Sequence, residues 1–159
     1  MNEILTILLK NTFTLTQLKH RVRLLKSYLE KTFFANQGQA EPLTPLDLNW
    51  LKSLPDSFYQ GFNKDNIYEI FTGLENQINK LPLLTLYLSF EPDDAATEQI
   101  GVFAGKTFEN HPLLDIKYDP NLIAGGALSW KGIYKDYSLR AKIDERKPEL
   151  LENFKKFLR

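Results

Sequence analysis

Cysteine is absent from this chain of 159 residues, so neither a disulfide nor a thiolate metal site is open to it. Histidine is scarce. His20 and His111 are the only two, far apart, with no second histidine or carboxylate at metal-ligand spacing. Long apolar runs are missing, and nothing approaches the roughly 18 consecutive apolar residues that cross a bilayer. The stretch MNEILTILLKNTF has a short apolar run, but an acidic residue precedes it and no small-residue cleavage signal follows, which argues against a secretory peptide. Charge of one sign is not in excess either. Twenty Lys and Arg balance twenty Asp and Glu, which argues against a dedicated nucleic-acid binder. No internal repeat or low-complexity tract is present, and the expectation is a soluble intracellular protein.

Catalytic constellations are also lacking. Gly105-Lys106-Thr107 resembles the end of a phosphate-binding loop, but only three residues separate Gly101 from Gly105, and such a loop needs four. A helix C-terminus with a glycine cap is the better reading. Ala124-Gly125-Gly126 lacks the third glycine and following helix of a dinucleotide fingerprint. Asp93 and Asp94 are neighbours, about 100° apart on a helix, so they do not converge on one reacting atom and read as capping residues. Asp136 and Ser138 lie near Arg140, yet a serine nucleophile needs a base and no histidine is close. His20 reads as part of a basic helix face with Lys19, Arg21, Arg23 and Lys26, and that face reads as solvated. His111 reads as a turn residue before Pro112. The expectation is a protein without catalytic residues, cofactor or metal site.

What is present is enough for a core: 43% of residues are hydrophobic and 13% aromatic. Leu15, Leu18, Val22, Leu25, Leu29 and Phe33 recur at helical spacing, and Gln37 to Pro42 reads as a loop. A second helix is predicted from Thr44-Pro45, with Thr44 as cap, carrying Leu46, Trp50, Leu51 and Leu54 until Pro55 ends or kinks it. A third carries Ile67, Ile70, Phe71, Leu74 and Ile78, capped by Asn63 or Asp65. At Leu81-Pro82 the pattern changes. Leu83 to Phe90 reads as a buried strand, and Asp93-Asp94 opens a helix running to about Ala104. HPLLDIKYDP gives a second strand, and a last helix starts near Pro148. The fold class predicted is α+β, an N-terminal helical bundle over 1–80 followed by a small β-α-β-β-α domain over 82–159. Charge is uneven along it. Residues 1–36 carry six basic and two acidic side chains, and residues 139–159 carry seven and four.

The densest pattern is DPNLIAGGALSWKGIYKDYSLRAKI. Asp119-Pro120 is turn chemistry, Gly125 permits close approach of a backbone, Lys131-Gly132 is a hairpin connection between two alternating strands, and the pattern closes on a basic helix start. Asp119, Leu122, Ile123, Ala124 and Gly125 are followed by eleven residues from Gly126 to Asp136, and then by Ser138, Arg140 and Ile143. In residue type and spacing this resembles the C-terminal signature of the ATP synthase delta subunit family, known in mitochondria as the oligomycin-sensitivity-conferring protein.

That resemblance implies a non-catalytic stator linker of a proton-translocating ATP synthase, peripheral to the inner face of the plasma membrane through the complex. It implies that the helical half grips the N-terminal segments of the alpha subunits, while the C-terminal region holds the b subunit of the peripheral stalk. The partner contact is expected on Leu150, Leu151, Phe154, Phe157 and Leu158, with Lys147, Lys155, Lys156 and Arg159 steering an acidic partner. The alternative reading is an unrelated α/β interaction module or regulator.

Overall fold

The computed structural model describes residues 3–34 and 43–157, and the chain divides into two compact units, Met1–Leu81 and Pro82–Arg159. The Gln37–Pro42 loop expected from the sequence lies outside the described residues.

Among the described residues the first unit holds five helices: α1 (Glu3–Leu9), α2 (Leu15–Phe34), α3 (Pro45–Ser53), α4 (Asp56–Gln60) and α5 (Ile67–Ile78). The two that sequence reading missed, α1 and α4, are short. Thr14 opens α2, its hydroxyl accepting from the Gln17 amide at 3.0 Å. Along the predicted α2 stripe Leu18, Val22, Leu25 and Leu29 are buried, whereas Leu15 and Phe33 at its ends are half-buried. Thr44 caps α3 in a reciprocal capping box with Asp47. Leu51 of α3 and Leu54 just past its end are buried, but Leu46 in its first turn is 76% exposed. Pro55 ends α3, and α4 begins at once. The bond that organises the start of α5 is reciprocal. Asn63 Oδ1 accepts from Asn66 N, and Asn66 Oδ1 accepts from Asn63 N, each at 2.9 Å. Phe58, Phe62 and Phe71 form an aromatic run through this core, with centroids 5.3 and 6.1 Å apart.

The second unit is a four-stranded sheet of order β2-β1-β3-β4. Its strands are β1 (Leu83–Leu88), β2 (Leu113–Tyr118), β3 (Gly126–Trp130) and β4 (Ile133–Asp136). Helix α6 (Asp94–Thr107) connects the parallel pair β1 and β2, and a 3-10 turn at Pro120–Leu122 leads to the antiparallel hairpin β3–β4. Asp93 caps α6, its carboxylate accepting from Ala96 N at 2.7 Å. The register pairs Leu84 with Leu114 and Leu86 with both Ile116 and Leu128. One face therefore becomes apolar and packs on Ile100, Ala104 and Phe108.

Two expectations fail here. The first strand is not buried on both sides, because Thr85, Asp115 and Ser129 share register on its other face and only Leu84 of β1 is fully buried. Gly105 is not a helix cap. It lies inside the last turn of α6, where a Cβ would come within 3.2 Å of His111 Nδ1, and Phe108 occupies the C-cap. The hairpin is as predicted. Lys131 and Gly132 have φ of 49° and 79°, the two positive values that a tight right-twisting connection needs.

The last helix, α7 (Leu139–Phe157), begins nine residues before the predicted start, with Pro148 in its interior. A proline there removes one backbone donor. On a helix with no buried residue, water can satisfy the carbonyl left without a partner.

Candidate partner-docking site

Asp119, Leu122, Ala124, Gly125, Gly126, Asp136 and Ser138 of the 119–143 pattern meet at one junction, the point where α7 leaves the sheet. Asp119 donates its amide to Leu88 O at 2.8 Å, and its carboxylate accepts from Asn121 N at 3.0 Å, capping the 3-10 turn. Leu122 is buried there. Ile123 then has φ 67° and ψ −56°, and the Ala124 amide donates back to Leu122 O at 2.8 Å. This is the γ-turn with positive φ, rare for any residue and strained for a β-branched one. It holds the Ile123 side chain outward, 60% exposed.

The next residues tie that turn to α7. Ala124 O accepts from Leu139 N at 2.9 Å, and Gly126 O accepts from Tyr137 N at 3.0 Å. Gly125 has φ +79°, and a Cβ on it would stand 3.1 Å from Tyr137 O. Gly126 is tighter: a Cβ would lie 2.8 Å from Tyr87 O. Asp136 Oδ1 accepts from Ser138 N at 2.8 Å, and Ser138 Oγ accepts from Ala141 N at 3.2 Å. Ser138 is thus the N-cap of α7 and is fully buried. Hydrogen bonding to Ser138, with a smaller contribution from the Arg140 charge, holds the Asp136 carboxyl below its ordinary value. Arg140 reaches Asp144 at 3.8 Å on the exposed surface. Asp136 and Ser138 therefore orient and cap a helix. Neither has a histidine partner among the hydrogen bonds of the described residues.

Beyond this anchor α7 is bare. Its contacts in the fold centre on the 3-10 turn, and none of its residues is buried. Of the residues expected to meet a partner, Leu150 is 43% exposed, Leu151 52%, Phe154 66% and Phe157 93%; Leu158 lies outside the described residues. At about 100° per residue, Leu139, Ile143, Leu150, Phe154 and Phe157 form one stripe, and Leu151 stands off it, about 95° from its axis. Leu139 and Ile143 were not expected on this stripe, because the basic helix start that closes the 119–143 pattern and the helix predicted from Pro148 are one continuous helix.

The basic stretch of α2 is less solvated than predicted. Arg21 donates to Lys10 O at 3.2 Å and to the Thr12 hydroxyl, and its guanidinium lies 5.3 Å from the Trp50 ring centroid. His20 Nε2 meets Asp47 Oδ1 at 2.9 Å, joining α2 to the capping box of α3, and that contact holds the Asp47 carboxyl below its ordinary value. Lys19, Arg23 and Lys26 instead line a cleft of about 360 Å³ between α2 and α5, with Glu75 and Asn79 opposite. Among the described residues no group of three or more His, Asp or Glu side chains is placed to share a metal ion.

Compared with known proteins, the chain matches no family model and no curated protein. Among the described residues no helix is long and apolar enough to cross a membrane.

Proposed function

We propose that this chain is a stator linker of a proton-translocating ATP synthase, similar in role to the delta subunit family. The helical unit engages the N-terminal segments of the alpha subunits, and α7 holds the b subunit of the peripheral stalk. The chain is then peripheral to the inner face of the plasma membrane through that complex. The observation that carries the reading is α7 itself: a 19-residue helix fixed at its first turn whose apolar stripe is left uncovered. A monomeric fold gains nothing from such a stripe, and helix-in-groove recognition requires one. The sequence pattern supports it too, because Asp119, Leu122, Gly125, Asp136 and Ser138 all serve the launch point of that helix.

Pull-down from a membrane extract tests the proposal, with alpha, beta and b subunits as the expected captures. Truncation after Lys147 refines it. Because nothing in α7 is buried, the shortened protein is expected to stay folded and to lose the b subunit while keeping alpha. Capture of none of these subunits by the full chain overturns the reading, and capture of b by the truncated chain overturns the role given to α7.

A further inference from the structure

The apolar stripe of α7 is broken in one turn by cations. Counting at helical spacing from Leu139 through Ile143 to Leu150, the turn between the last two carries Arg146 and Lys147, about 45° and 55° to either side of the stripe's axis, with Arg146 the nearer. The charges close to the stripe are of one sign. Within about a quarter-turn of the axis stand Arg140, Lys142, Arg146 and Lys147 and no carboxylate, while Asp144, Glu145, Glu149 and Glu152 fall further round together with Lys155 and Lys156. The intrahelical ion pairs do not neutralise this flank. Arg140 reaches Asp144 at 3.8 Å and Lys156 reaches Glu152 at 3.1 Å, but Lys142, Arg146 and Lys147 have no ion-pair partner among the described residues.

A second copy of the chain fits this surface badly, since two such stripes set face to face bring cations against cations. A charge within an apolar seam is costly unless an opposite charge meets it, and a single polar seam residue fixes the register of paired helices for that reason. We propose that α7 takes an amphipathic helix whose apolar seam is flanked by carboxylates, and that Arg146 sets the register by pairing with a carboxylate in that seam. This rests on the partner-docking reading of α7 and adds the chemistry of the occupant.

The test uses the full chain and two synthetic helices with the same leucine seam. One is flanked by Glu and carries one Glu in the seam; the other is flanked by Lys. The first is expected to bind, less tightly as salt is raised, and the second is not. Arg146→Glu is expected to weaken the first by at least about tenfold. Arg146→Leu should keep binding but no longer distinguish the first helix from a third in which Ala replaces the seam Glu. Circular dichroism checks that both variants keep the parent's helix content. Equal binding of both helices, binding of neither, or an Arg146→Glu variant that binds as the parent does overturns the proposal. The two readings fail separately. A chain that binds the Glu-flanked helix but captures no b subunit refutes the stator role alone. One whose Arg146→Glu variant captures b undiminished refutes the register role alone.

Discussion

Gly125 and Gly126 are both required, for different reasons. Gly125 needs its positive φ, which an L side chain adopts at a cost, whereas Gly126 needs the absence of a Cβ where the Tyr87 carbonyl sits. Gly125→Val is expected to destabilise the C-terminal unit by about 1–3 kcal/mol, read as a lowered midpoint for loss of sheet amide protection. Gly126→Val should cost at least as much, since a backbone oxygen is the obstacle. A variant of either kind that melts with the parent contradicts this account. Ile123 is the opposite case, a residue that glycine would suit better. Relief of its positive φ, less the extra chain entropy of glycine, should make Ile123→Gly more stable by up to about 1 kcal/mol. If the strained turn exists to present the Ile123 side chain, the same variant should bind the b subunit less tightly. A more stable variant with undiminished binding would leave the strain without a purpose at this surface.

Among the elements, the Thr44 cap, the Asp93 cap and the Lys131-Gly132 hairpin were legible in the sequence because each rests on local chemistry within a few residues. What was not legible depends on contacts far apart in the chain or on elements too short to show a period. Helix α1 has seven residues and α4 five, fewer than two full turns each. The His20–Asp47 contact joins residues 27 apart. The start of α7 was misread because Pro148 followed by an apolar run imitates a helix N-terminus, while the true cap, Ser138, has its side chain buried in the junction. That cap carries a pH dependence. The folded Asp136 carboxyl lies below its ordinary 3.8, so its contribution is complete above that value and is lost as pH falls through the folded one. Acidification should therefore release the Ser138 amide, and Asp136→Asn should remove that step. An unchanged acid profile in amide exchange would show that Asp136 does not anchor α7.

At the scale of the whole molecule, the break at Leu81–Pro82 separates two cores of different construction, one of helices and one of a sheet covered on one face. Neither core lends its central residues to the other in the sequence. Phe71, Leu74 and Ile67 close the first, and Leu84, Leu114 and Ala104 close the second. For the linker role proposed, such a division lets each half bind without the other being remodelled. The two units are accordingly expected to unfold independently. Phe71→Ala removes a side chain only 1% exposed, a change that costs about 3–5 kcal/mol in a well-packed core. The variant should lose amide protection over α2 and α5 while β1, β2 and β3 keep theirs. Capture of the alpha subunits should fall with it and capture of the b subunit should not. Loss of sheet protection in the same variant would mean that the chain folds as one cooperative body, and that the division at Leu81–Pro82 is architectural only.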